Sequence, residues 1–188
     1  MDTNNLSIVR QSFASTVFTH KVQEVAAEFQ GQKAFIIKIV NLVFVALILI
    51  SLVLQTLYMN LPIFSYIGIG LTVGDIIFLI IQLSFSFEEK TIQHKNVALK
   101  YMGVRDKYRE LIADIMNGNI SRAEIRMRRD EVQRQYQVIS DLAPQTGRKE
   151  YNEAQKRLNK RGVVDGEDFT WSDEEIDRFL SEELSLKK

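Results

Sequence analysis

The sequence predicts an all-α membrane protein: a two-helix transmembrane hairpin joined to a cytosolic helical bundle. The first observation behind this is an apolar run over residues 39–87, with no Asp, Glu, Lys or Arg between Lys38 and Asp75 or between Asp75 and Glu88. A span needs roughly 20 apolar residues to cross ~30 Å of hydrocarbon at ~1.5 Å per residue. The second observation is that the run holds two such lengths, separated by Asn60-Leu61-Pro62. The third is that the polar segments on either side repeat their apolar residues at spacings of three and four, the period of a helix face. Four segments follow: 1–37, 38–87 with spans at about 39–59 and 63–87, 88–162, and 163–188.

In the first segment, Phe18, Val22, Val25 and Phe29 share one helical face. That face either packs on the cytosolic bundle or lies in the headgroup plane, where Lys21, Lys33 and Lys38 would favour anionic lipid. The first apolar run begins after residue 34 and is too long for a signal-peptide core, so no cleavable leader is expected. Neither the Met-Asp start nor the C-terminus carries a lipidation signal.

Span one is rich in Leu, Ile and Val, with Asn41, Ser51, Gln55 and Thr56 as its polar residues. Pro62 cannot continue a helix and biases its predecessor toward extended backbone, so the spans form a hairpin. The link has no Lys or Arg, whereas Lys33 and Lys38 precede span one and Lys90, Lys95, Lys100, Arg105 and Lys107 follow span two. The positive-inside rule then places both termini in the cytoplasm. Span two is expected to run straight into the next helix.

That helix carries Val97, Tyr101, Val104, Tyr108, Leu111 and Ile115 at heptad spacing, which predicts a coiled-coil-like seam between copies of the chain. Asn117-Gly118-Asn119 ends it, because these residues tolerate left-handed backbone. Ser121 and Glu124 form a capping box for a second helix over about 122–142, which presents Ile125, Val132, Tyr136 and Ile139 and folds back on the first. Pro144 and Gly147 interrupt it. Residues 148–160 read as a third helix with Tyr151, Ala154 and Leu158 inward, and NKRGVVDGED as a turn-rich link. The terminal WSDEEIDRFLSEEL has Ser172 as N-cap, Glu175 at the third helical position and Trp171 stapled on Ile176, as expected of a short docking helix.

Enzyme chemistry finds no footing. Formal charge is balanced, 24 basic residues against 24 acidic, so it predicts neither nucleic-acid binding nor acidic substrates. The absence of cysteine removes disulfides, thiolate catalysis and cysteine-based zinc sites, and is compatible with a reducing cytosol. His20 and His94 are isolated on helices, and no HExxH, Walker, nucleophile-elbow or Rossmann pattern occurs. No catalytic, metal or cofactor residues are assigned.

Span two carries the informative residues. Gly70 and Gly74 form a G-x-x-x-G pair that permits close helix packing. Gly68, Thr72, Asp75, Leu79, Gln82 and Ser86 form a stripe in which all but Leu79 are small or polar. Asp75 lies 12 residues beyond Ile63, roughly 18 Å along the helix, past mid-bilayer. An intramembrane carboxylate should face protein or water. At matching depth span one offers only Ala46 and Leu47, while Asn41 and Gln82 match each other. Asp75 therefore looks to another copy or to water. In an assembly, Gly68, Thr72, Asp75, Gln82 and Ser86 would line a cation pathway, or else a protonated Asp75 would hold helices together by a hydrogen bond.

The polar N-terminal helix, the near-loopless hairpin, HKNVALKYMGVRDKYRELIADI and FTWSDEEIDRFLSEEL together resemble the SLATT effector domains of bacterial conflict and anti-phage systems. The resemblance runs from about residue 10 onward. It implies an oligomeric effector that permeabilises the bacterial inner membrane when a partner senses infection. The partners it implies are nucleotide second-messenger synthases, nucleotide-binding SLOG proteins or reverse transcriptases. It supplies no catalytic residues. The alternative is a membrane anchor whose cytosolic helices form a protein-interaction module.

Overall fold

Helices α1 (Thr3–Leu57), α2 (Ile63–Ser84), α3 (Phe87–Asn117), α4 (Arg122–Leu142), α5 (Arg148–Arg157) and α6 (Asp173–Asp177), with a 3₁₀ turn at Glu182–Leu184, make up the regular structure. The computed structural model describes residues 2–118, 120–159 and 170–186, and no strand occurs among them. The all-α prediction therefore holds. The chain divides into two compact units, one built from Met1–Ala27 with Ile92–Lys188 and the other from Glu28–Thr91.

Two helix boundaries differ from expectation, each for a local reason. The N-terminal helix and span one are a single helix, α1. Between them the sequence offers only Gly31, whose cost of ~1 kcal/mol does not stop a helix. Span two, by contrast, does not continue into α3: Phe85 is extended at φ −115° and ψ 93°. The Phe85 and Phe87 rings stack at 5.7 Å, and the Ser86 carbonyl accepts from Lys90 N–H at 3.0 Å. Glu88 and Glu89 then fall in the first turn of α3, where the helix dipole favours acids. The sequence LSFSFEE is a helix start as much as a continuation.

The core of the first unit gathers Leu6, Val9, Phe13, Ala14 and Val17 of α1 with Val104, Tyr108, Leu111, Ile112 and Ile115 of α3. Ile125 and Val132 of α4 join them, as do Trp171 and Ile176 of the C-terminal segment. Val22 and Val25 are buried, and the Phe18 ring meets Tyr151 at 4.9 Å and Trp171 at 5.8 Å. For these residues the packing alternative is the one adopted. Ala154 of α5 is buried and Leu158 is partly buried against the core.

The capping expectations hold in most particulars. Gly118, at φ +70°, ends α3 in the left-handed region. Ser121 accepts from Glu124 N–H, but the Glu124 carboxylate takes Arg128 at 2.8 Å instead of closing the box. Ser172 and Glu175 close theirs fully. The C-terminal segment docks on the start of α1: the Gln11 side chain bonds Trp171 N–H at 2.9 Å and its carbonyl at 2.6 Å. Arg10, fully buried, donates to Asp177 at 2.6 Å, Asp173 at 3.4 Å and the Leu184 carbonyl at 3.2 Å. The expected turn-rich link falls largely on residues 160–169, outside the described residues.

Candidate functional site

In the second unit, the later part of α1 and all of α2 pack antiparallel with their apolar residues outward. Leu42, Val43, Leu49, Ile50, Leu52 and Val53 on α1 are each more than half exposed, and α2 buries no residue fully. Such an apolar surface belongs in lipid, not water. Both helices are long and apolar enough to cross a membrane.

The end of the hairpin near the link is clasped by matched polar groups. Ser51 Oγ donates to the Phe64 carbonyl at 2.5 Å, and Ser65 N–H donates to Gln55 Oε1 at 3.0 Å. The same Ser65 N–H also donates to the Pro62 carbonyl at 3.1 Å, so the amide is shared between the turn and span one. Gly68 lets the helices approach closely here: a Cβ on it would stand 3.1 Å from Ser51 Oγ, so the hydroxyl would have to give by a few tenths of an ångström. Beside this clasp lies a cavity of about 410 Å³, lined among others by Ser51, Gln55, Ser65, Gly68 and Thr72. Further along, a Cβ on Gly74 would stand 3.5 Å from the Phe44 ring, and the Phe44 and Phe78 rings lie 5.9 Å apart. Past the apolar stretch, Lys38 and Glu88 pair at 2.5 Å with both side chains largely exposed.

The predicted stripe on α2 is split by this packing. Gly68, Asp75 and Gln82, seven residues apart, are half-buried, whereas Thr72, Leu79 and Ser86 are exposed. Thr72 Oγ1 donates to the Gly68 carbonyl within its own helix at 2.8 Å. The inward polar groups fare differently: Asn41 Oδ1, Asp75 Oδ1 and Gln82 Oε1 are buried without a hydrogen-bond partner. The match of Asn41 with Gln82 thus leaves both amide oxygens unpaired, and Asp75 finds no donor in span one. The glycine pair is also split, because Gly74 packs on Phe44 while nothing lies within 4 Å of a Cβ on Gly70.

The predicted seam between copies is occupied within the chain. Val97, Tyr101, Val104, Tyr108, Leu111 and Ile115 are all buried. Tyr101 bonds Ser140 at 2.9 Å, and Tyr108 O–H donates to Gln133 Oε1 at 2.9 Å, so α4 covers part of this stripe. Heptad spacing states that a stripe is buried and leaves open which helix buries it. The histidines are structural contacts: His20 Nδ1 lies 2.8 Å from the Ala98 carbonyl and His94 Nδ1 lies 2.7 Å from Gln23 Oε1. No group of three potential metal ligands occurs among the described residues.

Sequence reasoning did not single out Arg10 or the Ser51–Gly68 contact. Arg10 was visible as a lone cation between Val9 and Phe13 on an apolar face. The second needed the register of the two spans.

A chain whose described residues are all-α and include two helices long and apolar enough to cross a membrane, their apolar faces outward, is of the two-span membrane class. The chain belongs to the SMODS and SLOG-associating 2TM effector domain family 4, whose model matches residues 6–175. Neither the curated proteins nor the solved structures yielded a match. The family makes this a two-transmembrane effector domain of conflict systems.

Proposed function

We propose that the protein assembles in the bacterial inner membrane, with both termini cytoplasmic, and permeabilises it when a partner or nucleotide signal acts on the polar bundle. The observation that carries this reading is Asp75. Counted from the link it lies roughly 18 Å along a span-length helix, one of its oxygens is buried without a partner, and an intramembrane acid is a functional candidate by default, with ion pathways among its roles. Copies brought together would supply a ring of these acids with Thr72, Gln82, Ser86 and Gly68 beside it. The family description, which associates these effectors with SMODS and SLOG modules, supports a trigger from a nucleotide-handling partner.

Purified protein in liposomes tests the reading. The expected result is ion leak that depends on protein density, with Asp75→Asn lowering cation preference several-fold. Absence of leak at every density, or an unchanged ion preference in Asp75→Asn, would overturn the acidic-ring form. One observation favours a second reading, a membrane anchor carrying an interaction module. The heptad seam is closed within the chain and so is not free to bind another copy.

A further inference from the structure

We infer that the hairpin as folded is a closed state, and that α2 must turn its Gly68–Asp75–Gln82 face away from α1 before it can line an aqueous path. This rests on the permeabilising reading above. The polar residues that such a path needs are turned inward, seven residues apart, and are half-buried. The outward members of the stripe carry no charge and no amide: Leu79 is apolar, Ser86 is a lone hydroxyl, and the Thr72 hydroxyl gives its proton to its own backbone, leaving only its oxygen to accept. Asn41, Asp75 and Gln82 each hold a buried oxygen with no donor. Buried acceptors are almost always paired, so three unpaired ones within the hairpin call for a physical reason. Water reaching the parted hairpin would supply all three. Between Ile63 and Ser84, α2 is one uninterrupted helix, so turning Asp75 outward also turns Gly68 away from Ser51. The two-residue break at Phe85 and Ser86 lets α2 turn without imposing the same rotation on α3.

The chain has no cysteine, which makes a disulfide lock a clean test. A Cβ on Gly68 would stand 3.6 Å from Ser51 Cβ, within the roughly 3.5–4.5 Å that a disulfide spans. The double variant Ser51→Cys with Gly68→Cys is reconstituted under the conditions in which wild-type liposomes leak, and the crosslink is followed by mass. The expected result is a leak at least about tenfold slower when oxidised and restored by reductant. A fully oxidised sample that leaks within twofold of the reduced one overturns the inference and leaves the permeabilising reading standing. A wild-type protein that never leaks overturns that reading instead.

Should the double variant fail to insert, Gln82→Cys alone gives a second readout with a charged methanethiosulfonate reagent. Labelling at least about tenfold faster in leaking than in non-leaking liposomes supports the inference. Equal rates overturn it.

Discussion

At the scale of single residues, Arg10 is the most heavily committed side chain. Its guanidinium is buried between Asp177, whose side chain is 9% exposed, and Asp173, which is 67% exposed. Removing one member of a buried pair leaves the other charge uncompensated, whereas an exposed pair contributes little. Arg10→Met should therefore cost about 3–5 kcal/mol and Asp173→Asn less than about 1 kcal/mol. Trp171 is the sole tryptophan and is buried beside this contact, so its fluorescence during urea unfolding in detergent checks both values. Tyr108 makes a second prediction. Burial pushes its phenol up from 10.0 to about 12, because the low-dielectric core disfavours the phenolate. The unfolded chain releases this proton near pH 10, the folded one only near 12. The stability this group contributes is thus intact below about pH 10 and lost as pH rises to about 12. Tyr108→Phe should flatten that alkaline loss while giving up one hydrogen bond, about 1 kcal/mol, at neutral pH. Melts between pH 8 and 12 with tyrosinate absorbance would show whether the slope changes.

At the scale of elements, the two glycines of α2 separate packing within the hairpin from packing between copies. A Cβ on Gly68 already crowds Ser51 Oγ at 3.1 Å, and a branched side chain adds two methyls at the same contact. Gly68→Val should therefore break the bond to the Phe64 carbonyl and lower hairpin stability by roughly 0.5–2 kcal/mol, the range for hydrogen bonds between membrane helices. Gly70 has open space around it, so Gly70→Ala should leave the hairpin intact. Stability in a detergent titration, set beside liposome leak, separates the two. If Gly70→Ala keeps its stability and loses leak, that face meets another copy. The sequence made much of this level legible. Composition marked both spans, Ser172 with Glu175 marked the last helix, and Asn117-Gly118 marked the end of α3. Register was not legible, because it depends on which side chains meet across two helices. The stripe through Asp75 therefore read as one face, although α1 covers only its seventh-residue positions. The break at Phe85 escaped for a related reason: the apolar pattern continues through LSFSF while the backbone restarts at Ser86.

At the scale of the whole molecule, the bundle is assembled from the two ends of the chain. Leu6, Val9, Phe13, Ala14 and Val17 come from before the hairpin, and every other member of that core comes from after it. Periodicity exposed each of these faces separately. Their pairing across an intervening hairpin is non-local, and no local spacing encodes it. The arrangement has a consequence that distinguishes effector from anchor. Joining residue 27 to residue 92 through a Gly/Ser linker retains every residue of the core and removes the helices that need lipid. This variant should be soluble, helical and cooperative in melting. Residues 92–188 alone, lacking five core residues of α1, should lose that cooperativity, since each large buried apolar side chain contributes about 1.5–3 kcal/mol. If the linked bundle folds and is inert in cells in which the full chain is toxic, the activity resides in the hairpin and the bundle controls it. If the soluble bundle reproduces the phenotype, the spans serve only to hold an interaction module at the membrane, and the permeabilising reading gives way to the anchor.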